Sequence, residues 1–205
     1  EAYSLMKNGL GLDHDQMHKV FAEWNEGDLD SYLIEITRDI LAFRENGEPL
    51  VEKILDTAGQ KGTGKWTVMS SQELGIPVTL IASAVYARCV SALKSERVKA
   101  SSKLRGPKPR ITRKQDKFIE DIRCALYASK IVSYAQGFML MRAAAKEYGW
   151  RLKYGNIALM WRGGCIIRSA FLGKINEAYE KHPRLQNLLL DTFFKRGIRH
   201  SQKGW

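Results

Sequence analysis

From Gly59 to Thr67 the chain reads Gly-Gln-Lys-Gly-Thr-Gly-Lys-Trp-Thr, which puts three glycines, two lysines and two hydroxyls into nine residues. Glycines let successive N–H groups turn toward one point, and a helix opening near Lys65 would add its positive end, so phosphate is the ligand such a stretch suits. The other reading is a surface turn that uses Gly for its backbone and Lys for solubility. Gly59, Gly64 and Lys65 keep the spacing of a nucleotide-binding P-loop, G-x-x-x-x-G-K-[ST], but Trp66 stands where the Mg²⁺-binding hydroxyl belongs. The residues just before it, Ile54 to Ala58, are too few and end too polar for the buried parallel strand that such a loop follows. A Walker NTPase is therefore set aside, and the anion chemistry stays.

Arg88 is the second candidate, because it carries the only charge between Leu74 and Leu93. A guanidinium stays ionised when buried and calls for an anion. A carboxylate from a neighbouring helix would answer, and so would a carboxylate or phosphate of a ligand. His14 and His18 stand at i, i+4 and could span a metal, yet no third ligand or general base accompanies them, so no metal is expected. Cys89, Cys124 and Cys165 form no C-x-x-C pair and no zinc pattern, and their odd number suits a reducing cytoplasm.

The elements that must position these residues read as helices. Asp13 as N-cap with Gln16 three residues on opens one, and Met17, Val20, Phe21 and Trp24 fall on a single face of it. Leu29, Leu33, Ile36 and Ile40 repeat the helical spacing up to a turn over 45–49. A short helix follows the glycine stretch to about Leu74, and Pro77, in a first-turn position, opens a strongly apolar one that runs to Leu93. Lys114 to Tyr148 is the longest periodic stretch, apolar nearly all round from Cys124 to Ala145 and stopped at Gly149. At 1.5 Å per residue it would run about 50 Å, the length of a central core helix. Trp161 to Gly164 lead into another amphipathic helix, and His182-Pro183 separate that from a last one beginning near Leu185. No segment alternates convincingly, so the fold class is all-α: a multi-helix domain, 1–205, around a long central helix.

At 205 residues the chain can bury roughly 70% of its unfolded surface, enough for a sizeable core. Its net charge of +11 suits an acidic partner, whether nucleic acid, an anionic membrane surface or a phosphorylated metabolite. Ten Lys or Arg against two acids lie between Lys94 and Lys117, so this segment carries eight of the eleven net charges. It centres on Arg105-Gly106-Pro107-Lys108-Pro109 and reads as an exposed connection. As a nucleic-acid arm it has no aromatic residue for base stacking before Phe118. Arg88 and the short charge-free run of the long helix argue against a membrane span. The chain opens at Glu1 without a methionine, inside what reads as a helix and without a secretory leader, so a piece of a longer polypeptide is expected.

Several unusual words occur in order: Gly59 to Thr67, then Gly75-Ile76-Pro77-Val78-Thr79-Leu80-Ile81, Ala87-Arg88-Cys89, Ala128-Ser129-Lys130-Ile131, Tyr134-Ala135-Gln136-Gly137-Phe138, and Trp161-Arg162-Gly163-Gly164-Cys165-Ile166-Ile167-Arg168. In these the sequence resembles the decarboxylating 6-phosphogluconate dehydrogenase family over almost its whole length. The resemblance implies oxidation and decarboxylation of 6-phosphogluconate to ribulose 5-phosphate and CO₂ with reduction of NADP⁺, without a metal, in a cytoplasmic homodimer. It also implies that Lys61 and Arg88 bind the substrate phosphate with Thr63 as a supporting hydroxyl, and that Trp161 to Arg168 serve packing. By the same comparison the NADP-binding Rossmann-type domain, the catalytic lysine and glutamate, and a C-terminal tail lie outside these residues. The chain alone should then hold no catalytic or cofactor-binding residue and show no activity. The rival reading is a basic, non-catalytic helical protein that binds nucleic acid through Lys94 to Lys117.

Overall fold

A computed structural model describes residues 1–106 and 111–204. The described residues form ten α-helices and one two-stranded ladder, so the domain is all-α around one long helix. It divides into two compact units, Glu1–Ile54 with Arg110–Ile131 and Leu152–Trp205, and Leu55–Pro109 with Val132–Arg151.

In the first unit, α1 (Ala2–Ser4) continues as a π-helical turn, Leu5–Gly9. Helix α2 (His14–Asn25) opens with the expected capping box: Asp13 Oδ1 accepts from Gln16 N at 2.8 Å, and Gln16 Oε1 accepts from Asp13 N at 2.9 Å. Met17, Phe21 and Trp24 are buried, and α2 packs on α3 (Tyr32–Ala42). The buried face of α3 is not the expected one. Ile34 and Leu41 face the core while Leu33 and Ile40 are exposed, since the adjoining helix covers the neighbouring stripe. After α3, Asn46 and Gly47 turn a minimal hairpin that pairs β1 (Arg44–Glu45) with β2 (Glu48–Pro49), both turn residues having positive φ.

Helix α8 (Tyr154–Met160) has no counterpart in the periodicity, being too short for its pattern to show. It packs on α9 (Phe171–Lys181), whose Phe171, Leu172, Ile175, Ala178 and Tyr179 are all buried. The last helix, α10 (Thr192–Ser201), begins seven residues later than expected, at the N-cap Asp191, whose side chain accepts from Phe193 N at 2.9 Å. The stretch Trp161 to Arg168 is mostly exposed, Ile166 and Ile167 included, so within this chain it is not interior packing. Arg168 pairs with Glu35 instead.

Lys130 is a half-buried cation of this unit. Its Nζ donates to Leu29 O at 3.1 Å and to Ser31 Oγ at 2.8 Å, and lies 5.6 Å from the centroid of the Phe171 ring. Burial draws its ammonium down to about 8.

The second unit holds α4 (Thr63–Glu73), α5 (Thr79–Ala92), α6 (Lys94–Lys103) and the C-terminal part of α7 (Gln115–Glu147), the long helix. Tyr148 N to Ala144 O and Trp150 N to Ala145 O close α7 at the expected glycine. Pro77 lies just outside α5, whose N-cap is Val78 and offers no capping side chain. Gln136 of α7 replaces the cap: its Oε1 accepts from Leu80 N at 3.1 Å and Ile81 N at 3.3 Å, and its Nε2 donates to Thr79 Oγ1 at 3.1 Å.

Candidate functional site

The glycine stretch turns into α4 at Gly62, whose φ of 108° is open to glycine and strained for any other residue. Gly62 has no side chain to cap the helix, so the first N–H groups of α4 lack an intrahelical acceptor and face whatever approaches this end. Thr63 is the first helical residue and is exposed, as is Lys61 two residues before it. Thr67 Oγ1 ties back to Thr63 O at 2.9 Å. At Gly64 the backbone comes so close to α5 that an added Cβ would sit 2.9 Å from Val85 Cγ2. This contact is what sets the loop beside α5.

Within the chain, Arg88 meets a backbone carbonyl rather than the carboxylate of a neighbouring helix. The all-apolar pattern of α5 implied a buried guanidinium, but Arg88 is exposed and no residue of α5 is buried. Its partner is not a carboxylate. Nε donates to Gly59 O at 2.8 Å and Nη2 donates to the same carbonyl. Two of the five guanidinium donors thus hold the glycine loop, and three lie outside this bond. The structure therefore brings Arg88 to the loop two residues before Lys61. Gln60 Nε2 adds a contact to the Cys89 thiol. No Asp or Glu occurs between Asp56 and Glu73 or within α5, so Lys61, Lys65 and Arg88 set an uncompensated positive field there.

Sequence reasoning missed the groups that hold this loop in place. Asp56 pairs with Lys94 and with Arg97, and the Lys94 ammonium holds its carboxyl below the usual range. The basic run is thereby divided. Lys94 to Lys103 is helix α6, with Lys94 and Arg97 turned to Asp56, while Pro107, Lys108 and Pro109 lie outside the described residues. The signal for Asp56 was weak, a single acid upstream of a glycine stretch, and nothing in the sequence paired it with residues some forty positions on.

The other candidates separate. His14 Nε2 lies 2.7 Å from Glu52 Oε1, in a cluster with Lys7 and Tyr3, whereas His18 Nδ1 donates to Arg38 O at 2.9 Å, so the two rings serve different partners. The Lys7 ammonium and the Tyr3 hydroxyl hold Glu52 down to about 2. Among the described residues no three His, Cys, Asp or Glu side chains gather as a metal site, and no helix is long and apolar enough to cross a membrane.

Over residues 1–205 the chain matches the family described as 6-phosphogluconate dehydrogenase, C-terminal domain. It is 62% identical over 207 residues to the decarboxylating 6-phosphogluconate dehydrogenase of Mus musculus and 60% identical over 207 residues to that of Homo sapiens, in each case covering 100% of this chain and 43% of the relative. The solved structure of Plasmodium falciparum 6-phosphogluconate dehydrogenase, described in its apo form, with its cofactor NADP⁺ and with its substrate 6-phosphogluconate, is similar with a TM-score of 0.93 at 42% identity, covering 98% of this chain and 44% of that one. The chain spans less than half the length of the relatives it matches.

Proposed function

The chain belongs to the 6-phosphogluconate dehydrogenase family, matching its C-terminal domain throughout, and from that premise we propose that it helps to bind 6-phosphogluconate in an NADP-dependent decarboxylating dehydrogenase, with Lys61, Thr63 and Arg88 gripping the phosphate. The overall reaction is oxidative decarboxylation of 6-phosphogluconate to ribulose 5-phosphate and CO₂ with reduction of NADP⁺. The observation that carries the assignment is the pair of hydrogen bonds from Arg88 to Gly59 O, which gathers a guanidinium, the Lys61 loop and an uncapped helix start in an acid-free neighbourhood. Arg suits a phosphate because its planar fork can hold two oxygens, whereas Lys acts as a point charge. The phosphate is remote from the carbon that is oxidised, so this chain's share of catalysis is orientation.

No residue of this chain is assigned to the cofactor. The described residues form no βαβ unit and the sequence has no G-x-G-x-x-G, so a dinucleotide does not fit here in the Rossmann manner. Helix α5, apolar yet without a buried residue, supports a homodimer in which a second copy covers apolar surface of this kind. The free thiols Cys89, Cys124 and Cys165 are in keeping with the cytoplasm.

In the dehydrogenase that carries this domain, Lys61→Ala and Arg88→Ala are each expected to raise the KM for 6-phosphogluconate about ten- to a hundredfold, the effect of losing one charge-assisted contact. The KM for NADP⁺ should move much less, and gluconate, which has no phosphate, should be used equally poorly by variant and parent. A variant that loses gluconate turnover as severely as 6-phosphogluconate turnover contradicts the assignment.

A further inference from the structure

The two arms of the glycine loop are held by different means. Downstream the loop runs into α4, which meets α5 through the Gly64–Val85 approach. Upstream, Leu55 to Thr57 form neither helix nor strand and are exposed, Leu55 to 66%, so apolar burial does little for this arm. Polar ties hold it instead. Arg97 Nη2 donates to Asp56 O at 2.7 Å, Arg97 Nη1 lies 3.5 Å from Asp56 Oδ2, the Lys94 ammonium pairs with the same carboxylate, and Thr57 Oγ1 donates to Ser91 O at 3.1 Å. Arg97 Nη2 also donates to Ser91 O at 3.0 Å. Ser91 lies in the last turn of α5, where carbonyls have no intrahelical partner, so one guanidinium joins that helix end to the arm.

We infer that Arg97 is a positioning residue for substrate binding: by gripping Asp56 and Ser91 together it sets where the chain enters the glycine loop, and so where Lys61 stands. The inference rests on the reading of that loop as the phosphate site. Arg88 fixes Gly59, but two residues, Thr57 and Ala58, separate Gly59 from Asp56, and each free residue can span about 3.3–3.6 Å, so an unheld arm would let the loop drift by more than a hydrogen-bond length. The side-chain hydrogen bonds of Arg97 among the described residues go to Asp56 and Ser91, and its Nε is buried and unpaired, so its effect on the ligand runs through the backbone. Because Nε takes no part in the grip, a lysine at this position retains a donor for the same carbonyls.

The test is a calorimetric titration of the intact dehydrogenase with 6-phosphogluconate and with gluconate, using the parent, Lys61→Ala, Arg97→Ala, Arg97→Lys and the Lys61→Ala/Arg97→Ala double variant. Arg97→Ala is expected to weaken 6-phosphogluconate about three- to tenfold, with gluconate binding and saturated kcat unchanged, and Arg97→Lys to recover part of the loss. In the Lys61→Ala background, Arg97→Ala should add less than about twofold, because a lysine that is absent cannot be misplaced. Should Arg97→Ala fail to fold, Asp56→Asn keeps the backbone acceptor, breaks the ion pair, and is expected to show a smaller loss of the same selectivity. Unchanged 6-phosphogluconate affinity, a loss shared equally by gluconate, or full additivity with Lys61→Ala each overturns the inference. Parent-like binding of 6-phosphogluconate by Lys61→Ala would instead overturn the phosphate reading on which it rests.

Discussion

Helices α5 and α9 are both rich in apolar residues, yet they end in opposite states. In α9 the apolar positions form one stripe, Phe171, Leu172, Ile175, Ala178 and Tyr179, opposite Lys174, Glu177 and Glu180, and every residue of the stripe is buried. In α5 apolar residues lie on all sides and none is buried, with Tyr86 and Val90 exposed to 60% and 55%. A stripe tells a helix which face its own chain will cover. Apolarity all round states only how much surface needs covering, and leaves open what covers it. Helix α5 is also the helix that carries Arg88, so the same surface that lacks cover within the chain borders the proposed phosphate site.

The sharpest break of this comparison comes from truncating each helix. Phe171→Ala, which empties the contacts with Tyr127 and Phe194, is expected to lower the unfolding free energy by about 3–5 kcal/mol. Val90→Ser in α5 should change it by less than about 0.5 kcal/mol under conditions where the chain is monomeric, and should weaken self-association where it dimerises. Denaturant melts combined with sedimentation separate the two. A large loss for Val90→Ser in the monomer would mean that α5 is covered within its own chain.

A smaller effect comes from the cation of the first unit that is drawn out of water. Lys130 has its pKa drawn down to about 8 by burial, from the ordinary 10.5 that the unfolded chain restores. Below pH 8 the ammonium is charged in both states and the cost of burying it is fully present. Between pH 8 and 10.5 the native state releases the proton first, the unfolded state binds more protons, and stability rises with pH. Relative to Lys130→Met, the parent should gain about 2–3 kcal/mol across that window, at roughly 1.4 kcal/mol per pKa unit. An equal pH dependence in parent and variant contradicts a desolvated Lys130.

The smallest effect sharpens the contact that places the loop. Gly64→Ala gains helix propensity but drives a Cβ against Val85, so a net loss of about 1 kcal/mol is expected. It should be accompanied by weaker 6-phosphogluconate binding, with a Val85→Ala second change restoring both. Restored stability without restored binding would detach the α4–α5 approach from the site.

What the sequence by itself determined about this protein is what near neighbours along the chain decide. The capping box at Asp13 and Gln16, the stop of α7 at Gly149 and the helical class all follow from interactions within about one turn, which is the range a local pattern reports. The order of its unusual words carried the family, and with it the proposal that Lys61, Thr63 and Arg88 hold a phosphate. Tertiary structure alone decided the rest. It placed Ile34 and Leu41 rather than Leu33 and Ile40 in the core, supplied Gln136 as the cap for α5, left Arg88 exposed on Gly59 O, half-buried Lys130 against Leu29 O, and turned Arg97 to Asp56. Each of these depends on which segment arrives from well outside the turn, 29 residues away for Gly59 and Arg88 and 56 for Leu80 and Gln136. A cation in the sequence announces that it needs an acceptor. Only the path of the chain determines whether that acceptor is a carboxylate, a ligand or a backbone carbonyl.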